Sequence, residues 1–186
     1  MTMSANDGNR EIAILAGGCF WCLEAVFKDV EGVVSVTPGY TGGKVEQPDY
    51  RAVCVGGTGH AEAVRIEFDP DVISYRDLLE IFFVIHDPTT LNRQGNDIGS
   101  QYRSAIFPTT DAQLHDALAL IEKIGEERVF PSAIVTKVER AATFWVAEDY
   151  HHDYFAKNSD QPYCQYVVAP KIAKFRDKFA QRRKRS

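Results

Sequence analysis

Two cysteines three residues apart, Cys19 and Cys22, stand in the stretch AGGCFWCLEAVF. Cysteines at this spacing can form a redox pair, bind a metal ion, or pair one nucleophile with an inert thiol. The apolar run from Glu11 to Ala16 ends at two glycines, and apolar residues then recur at helical spacing. The pattern predicts a strand, a tight turn and a helix that begins near Cys19. Unpaired N–H groups and the helix dipole favour a thiolate there, which makes Cys19 the better nucleophile.

The residues between the two cysteines, Phe20 and Trp21, are bulky and apolar. Aromatic faces pack well against methyl groups and thioether sulfur, so the pair favours a pocket for an apolar or sulfur-containing group. Helical spacing also allows Phe20 to be a core residue, whereas Trp21 falls outside the apolar stripe. A zinc site needs two further ligands, and Cys54, Cys164 and five scattered histidines form no second pair at ligand spacing. A thioredoxin-like pair is the stronger alternative, because the motif follows a strand.

Composition limits the functional classes. The chain has 186 residues, 45% of them hydrophobic and 25% charged, which suits one globular domain. No apolar run approaches the roughly 18 residues of a membrane span, and a net charge of −5 argues against a nucleic-acid partner. Four irregularly spaced cysteines are typical of a reducing compartment, so we expect a cytoplasmic protein without an export signal. The basic segment after Lys171 is interpreted as a solvated helix end.

Strand and helix patterns continue along the rest of the chain. The segment AEAVRIEFDP alternates like a half-buried strand, and SYRDLLEIFFVIHDP predicts a helix that Ser74 caps and Pro88 ends. Without strict βαβ repetition, the pattern predicts an α+β two-layer sandwich with a mixed sheet, a ferredoxin-like core, extended loops and a C-terminal segment. The other predicted strands begin at Val33 and lie in SQYRSAIFP and SAIVTKVER, and the other predicted helices span about 111–125, 147–157 and 171–181.

Five segments in one order carry a family resemblance: GGCFWCLEAVF, PGYTGG, TGHAEAVRIEFDP, HDPTTLNRQGNDIGSQYRS and AEDYHHDYF. Together, from about Ile12 to Phe179, they resemble the A-type peptide methionine sulfoxide reductases. The resemblance implies a thiol-dependent enzyme of oxidative-damage repair that reduces methionine-S-sulfoxide, free or in proteins, and needs no cofactor or metal. We expect a single catalytic domain over residues 1–186, with flexible ends at 1–10 and about 181–186. We expect this domain to be a monomer.

Sulfoxide reduction explains the residue types that the resemblance implies. A sulfoxide is a poor electrophile until its oxygen is protonated, so the nucleophile Cys19 must be matched by an acid that keeps its proton near neutral pH. The family's acid falls on Glu62, whose pKa would be raised by burial. On the sequence alone Glu62 could also be a strand-end carboxylate. The other implied site residues are the methyl-binding Phe20 and Trp21, the oxygen-binding Tyr50 and Tyr102, and Asp97 in the long polar loop from Thr89 to Gly99.

Recycling needs a second thiol. Attack by Cys19 would release methionine and leave a sulfenic acid, with which another cysteine condenses. Cys164, in QPYCQYVVAPK, stands where many family members carry their recycling cysteine, and the resemblance implies that thioredoxin reduces the disulfide. The glycine-rich tail with a further cysteine, found in many relatives, is absent, because VVAPKIAKFRDKF follows Cys164. Cys22 and Cys54 are interpreted as structural, yet either stays an alternative partner of Cys19.

The sequence leaves two alternative functions possible. A thioredoxin-like oxidoreductase would use a disulfide between Cys19 and Cys22, and a non-enzymatic module would bind oxidised or methionine-rich peptides without turnover. Among the histidines, His60 is predicted to help position Glu62. The remaining four, His151 included, are interpreted as capping, packing or surface residues.

Overall fold

The computed structural model describes residues 9–185. A mixed six-stranded sheet forms its centre, in the order β7-β6-β1-β3-β2-β8. The middle strand β3 pairs antiparallel with β1 and β2, whereas β7 is parallel to β6. The predicted α+β class with a mixed sheet is confirmed. The eight strands are β1 (Glu11–Gly17), β2 (Val33–Thr41), β3 (Ala61–Phe68), β4 (Arg93–Gln94), β5 (Asp97–Ile98), β6 (Ser104–Ile106), β7 (Lys137–Val138) and β8 (Trp145–Val146).

Six α-helices accompany the sheet, and within residues 9–185 none is long and apolar enough to cross a membrane. Ser74 caps the third helix as predicted, through a capping box in which its hydroxyl accepts from the N–H of Asp77. The predicted helix near 147–157 is instead a 3₁₀ turn and a short helix, separated by Asp153 at φ +57°. The helices are α1 (Phe20–Phe27), α2 (Tyr50–Val55), α3 (Tyr75–Ile85), α4 (Asp111–Glu126), α5 (Tyr154–Lys157) and α6 (Ala169–Lys178).

The main core lies between the sheet and the layer formed by α1, α3 and α6. Phe20, Phe27, Ile66, Phe82 and Phe175 are among its fully buried side chains. A smaller apolar cluster includes Phe107 and residues of the same strands. Its side chains alternate along these strands with side chains of the main core, as expected for the two faces of a sheet. Burial of α1 holds its first turn, and with it the cysteine motif, rigidly against the sheet.

The basic C-terminal segment folds back onto the end of α1. The Asp29 carboxylate accepts from the guanidinium of Arg176 at 2.9 Å and forms an ion pair with Arg183 at 3.6 Å. The carbonyl of Asp29 accepts from the N–H of Lys184 at 2.8 Å. A β-bridge joins Val30 to Arg183. Residues 182–184, within the end expected to be flexible, thus make backbone hydrogen bonds and ion pairs, and the flexibility itself stays a prediction. Residues 1–8 and 186, which belong to the same expectation, lie outside the described residues.

Candidate active site

The turn between β1 and α1 places the first cysteine of the motif. Gly18 has φ +93°, and a Cβ on it would lie 2.7 Å from the Cγ of Gln94, so the turn requires glycine. Cys19 follows as the N-cap of α1, and its side chain is only 6% exposed. The strand, turn and helix predicted from the sequence are thus present, with Cys19 at the predicted end of the helix.

Glu62 lies in β3 beside the first turn of α1 and is buried. The N–H of Phe20 donates to its Oε1 at 3.2 Å, while Oε2 is buried and has no hydrogen-bond partner among the described residues. Burial raises the pKa of Glu62 to about 8, with a smaller contribution from the negative charge of Asp97. The carboxyl therefore keeps a proton at neutral pH, and one of its oxygens is free to act on a bound molecule.

The two cysteines of the motif lie on one helical turn, and the N–H of Cys22 donates to the Cys19 carbonyl at 3.1 Å. Burial raises the pKa of Cys19 well above its usual value, and the neighbouring Cys22 thiol and the charge of Glu62 act in the same direction. The neighbouring Cys19 thiol and Lys171 lower the pKa of Cys22, although burial opposes them. We predicted a thiolate at Cys19 from the helix dipole. Burial opposes the dipole and favours the protonated thiol.

Aromatic rings cluster around the residues that follow Cys19. Trp21 stacks on Tyr154 with ring centroids 3.7 Å apart, and its Nε1 donates to the Nδ1 of His151 at 2.9 Å. The His151 ring lies 4.9 Å from Phe20 and 4.4 Å from Tyr50. Burial lowers the pKa of His151 to about 4, so the ring is neutral and accepts at Nδ1. The structure thus places His151 in contact with Phe20, Trp21 and Tyr50, whereas from the sequence we interpreted it as a capping, packing or surface residue.

The two predicted oxygen-binding tyrosines lie near Glu62. Tyr50 begins α2, and its N–H donates at 2.9 Å to Glu148, which also accepts from the hydroxyl of Tyr40 at 2.8 Å. Burial raises the pKa of both Tyr50 and Tyr102, and the charge of Glu62 adds to each increase. Both phenols therefore stay protonated and can donate hydrogen bonds. The sequence did not single out Glu148, because only the tertiary structure joins it to Tyr50.

Asp97 lies in the hairpin of β4 and β5, inside the long loop that was predicted to be functional. Its Oδ2 accepts from the hydroxyl of Tyr163 at 2.6 Å. The Tyr163 ring packs edge-on against Trp21, at 5.7 Å between centroids, and its hydroxyl is close enough to Cys22 to lower the pKa of that thiol. The loop and the C-terminal segment therefore meet beside the two cysteines. Tyr163 is another residue that the sequence analysis did not identify.

The remaining candidate residues are two cysteines and His60. Cys164 is fully buried at the start of a π-helical turn, Cys164–Val168, whereas Cys54 is exposed on α2. His60 was predicted to help position Glu62. Its ring instead hydrogen-bonds the backbone of Gly43 and Val45, at 3.0 and 2.6 Å, and so holds the segment that follows β2.

A cysteine beside a proton-bearing carboxyl and aromatic rings, on this α+β fold, defines the chain as a thiol-dependent oxidoreductase. The family model described as "Peptide methionine sulfoxide reductase" matches residues 11–184. The chain belongs to this family.

Individual relatives agree with the family. "Peptide methionine sulfoxide reductase MsrA" of Deinococcus radiodurans is 60% identical over 167 residues, which cover 90% of this chain and 81% of that protein. The crystal structure of reduced Mxr1 from Saccharomyces cerevisiae is similar, with a TM-score of 0.79 and 34% identity over 88% of this chain and 93% of that one. A structure of Mxr1 in complex with Trx2 matches with a TM-score of 0.56 and 24% identity, over 82% of this chain and 90% of that one. At that identity the likeness concerns the fold alone.

Proposed function

We propose that this chain reduces methionine-S-sulfoxide, free or in proteins, to methionine, and that its residues act as one catalytic domain. Family membership supports the reaction, and one observation about the site carries the assignment of roles. The Oε2 of Glu62 is buried and unpartnered among the described residues, while its Oε1 accepts from the N–H of Phe20, the residue that follows Cys19 at the start of α1. A buried, proton-bearing oxygen beside a thiol is what protonation and attack of a sulfoxide require.

The reaction begins with proton transfer. Glu62 donates its proton to the sulfoxide oxygen, which makes the sulfur electrophilic. The Cys19 sulfur then attacks the substrate sulfur, and the thiol proton passes to Glu62. The hydroxyl oxygen shifts from the substrate sulfur to the Cys19 sulfur as the bond between the two sulfurs breaks, which leaves a sulfenic acid on Cys19 and releases methionine. One thiol and one sulfoxide thus become one sulfenic acid and one thioether, with the acid restored.

The pocket matches the two ends of the sulfoxide group. The rings of Phe20 and Trp21 provide an apolar surface for the methyl group, where sulfur and methyl groups pack favourably. Tyr50 and Tyr102 donate hydrogen bonds to the oxygen as negative charge develops on it, without carrying charge themselves. This division orients the sulfur toward Cys19 and supports preference for one epimer.

Recycling returns Cys19 to the thiol. We propose that an intramolecular disulfide forms and that thioredoxin reduces it, as the family resemblance implies. The yeast relative has been solved in complex with Trx2, which supports a partner of this type. A cytoplasmic location and a monomeric state stay predictions from the sequence.

The decisive experiment measures methionine released from the two epimers of a methionine sulfoxide peptide, with dithiothreitol as reductant. The S epimer should be reduced and the R epimer should not. Cys19→Ser should abolish release with any reductant, and Cys54→Ser, an exposed cysteine, serves as the matched control. Binding of the peptide without any turnover would contradict the proposal and favour a binding module. Residual activity of Cys19→Ser would rule out Cys19 as the nucleophile.

A further inference from the structure

We infer that Cys22 is the thiol that condenses with the Cys19 sulfenic acid, so that the first disulfide of the cycle joins Cys19 to Cys22. The inference rests on the proposed function and deepens it, because it assigns the recycling step that the sequence resemblance gave to Cys164. Within the described residues, Cys22 is the cysteine that lies on the same helical turn as Cys19, with its N–H donating to the Cys19 carbonyl at 3.1 Å.

The backbone favours closure of this pair. Cys19 is the N-cap with extended φ and ψ of −61° and 126°, and the N–H of Cys22 donates to its carbonyl at 3.1 Å. Residues three apart on one helical turn face each other, so only side-chain rotation is needed to bring the two sulfur atoms together. Closure does not compete with the substrate, since methionine has already left when the sulfenic acid is present.

The surroundings of Cys22 suit a leaving thiolate. The neighbouring Cys19 thiol is the largest cause that lowers the pKa of Cys22 in the reduced chain, and burial opposes it. The ammonium of Lys171 and the hydroxyl of Tyr163 also lower it, and these two remain beside Cys22 when the disulfide has formed. A thiol of lower pKa leaves faster from a disulfide that is attacked at the other sulfur. Cys19 is 6% exposed and Cys22 is fully buried, so a reductant attacks Cys19 and expels Cys22.

The other two cysteines have different neighbours. Cys54 is exposed on α2, and its thiol hydrogen-bonds the Tyr50 side chain. Cys164 is fully buried in its π-helical turn, where the charges that act on it are those of Cys22 and Asp160. Cys164 is thus held in a packed position in another segment of the chain, whereas Cys22 lies on the helical turn that Cys19 begins.

The chemistry of the step balances without another reactant. The Cys22 sulfur attacks the sulfur of the Cys19 sulfenic acid, the S–O bond breaks, and the hydroxyl leaves as water with the proton of Cys22. The sulfur of Cys19 is thereby reduced from its oxidation state in the sulfenic acid, the sulfur of Cys22 is oxidised, and the product is one disulfide. A dithiol such as thioredoxin then transfers two electrons and two protons, and both cysteines return to thiols.

Peptide mapping of the unmodified chain tests the inference. The reduced protein is mixed with one equivalent of the S-sulfoxide peptide without reductant, quenched in acid, alkylated and digested with trypsin. Cys19 and Cys22 share the tryptic peptide Glu11–Lys28, whereas Cys164 lies in Asn158–Lys171. We expect the mass of peptide 11–28 to be lower than that of its dithiol form by two hydrogens, with no cross-link to another peptide. A cross-link from 11–28 to 158–171, or to the peptide that carries Cys54, overturns the inference.

Variants give an independent answer. Cys22→Ser and Cys22→Ala should each release one methionine, accumulate a dimedone-reactive sulfenic acid on Cys19, and lose thioredoxin-driven turnover, with Cys54→Ser as control. Turnover of both Cys22 variants at the parent rate would overturn the inference. These outcomes are separate from failure of the proposed function, which would appear as absence of methionine release by the unmodified chain.

Discussion

Replacement of Glu62 by glutamine should lower activity and raise stability at the same time. Gln keeps the shape of the side chain and the oxygen that accepts from Phe20, but it has no proton to transfer. Loss of a general acid costs about 10²–10⁴ in rate, so turnover of the S-sulfoxide should fall by that factor. The change in stability follows from the pKa of the carboxyl.

Burial raises the pKa of Glu62 from 4.5 to about 8. Between these two values the folded chain holds a proton that the unfolded chain has lost, so folding becomes less favourable as pH rises. Each pH unit in this window costs about 1.4 kcal/mol, which amounts to roughly 3 kcal/mol at pH 7. The glutamine variant does not ionise and avoids this cost. It should therefore be the more stable protein at neutral pH, and the difference should shrink as pH falls toward 4.5.

Urea denaturation of the reduced proteins from pH 5 to pH 8 measures the difference directly. Glu67→Gln is the matched control, because Glu67 lies on the same strand with a side chain that is 34% exposed. The free energy of unfolding of Glu62→Gln, relative to the parent, should rise with pH. A difference that stays constant across this range refutes the argument from burial. A variant as fast as the parent at pH 8 refutes the role of Glu62 as the acid.

Three further predictions concern the pocket. The kcat of the parent with dithiothreitol should fall as pH rises through about 8, where Glu62 loses its proton, and a rate that keeps rising would contradict this acid. Trp21→Phe removes the donor to His151 but keeps a ring on Tyr154, so the KM for the peptide should rise more than kcat falls, as steady-state kinetics would reveal. Gly18→Ala forces a side chain into φ +93° against Gln94 and should destabilise the fold by about 1–3 kcal/mol in urea titrations, whereas a stability equal to the parent's would contradict the strain.

Local patterns in the sequence were sufficient for the elements that carry the nucleophile. Two glycines after an apolar run, followed by helical spacing, predicted that Cys19 would begin a helix, and it is the N-cap of α1. Ser74 was predicted to cap a helix for the same kind of reason, and it does. Such signals are read within a few residues because turns, caps and periodic faces depend on neighbouring backbone groups. Short elements carried weaker signals, and the helix that begins at Tyr50 was not predicted.

The family and the kind of chemistry were also contained in the sequence, in five collinear motifs around Cys19 and Glu62. The protonation states of the site residues were not contained in the sequence. The helix dipole alone favours a thiolate at Cys19, but burial and the groups packed around it give a protonated thiol. Burial depends on which layers cover a residue, so no local pattern reports it.

Contacts between distant residues were decided by the tertiary structure alone. Trp21 meets His151, 130 positions along the chain, and Tyr163 meets Asp97 across 66 positions. The sequence determined which residue types were available, where the local turns and caps lie, and which family the motifs resemble. Only the packing of the helices and the C-terminal segment on the sheet decided which side chains share the pocket, because that packing brings together groups with no local relation to each other.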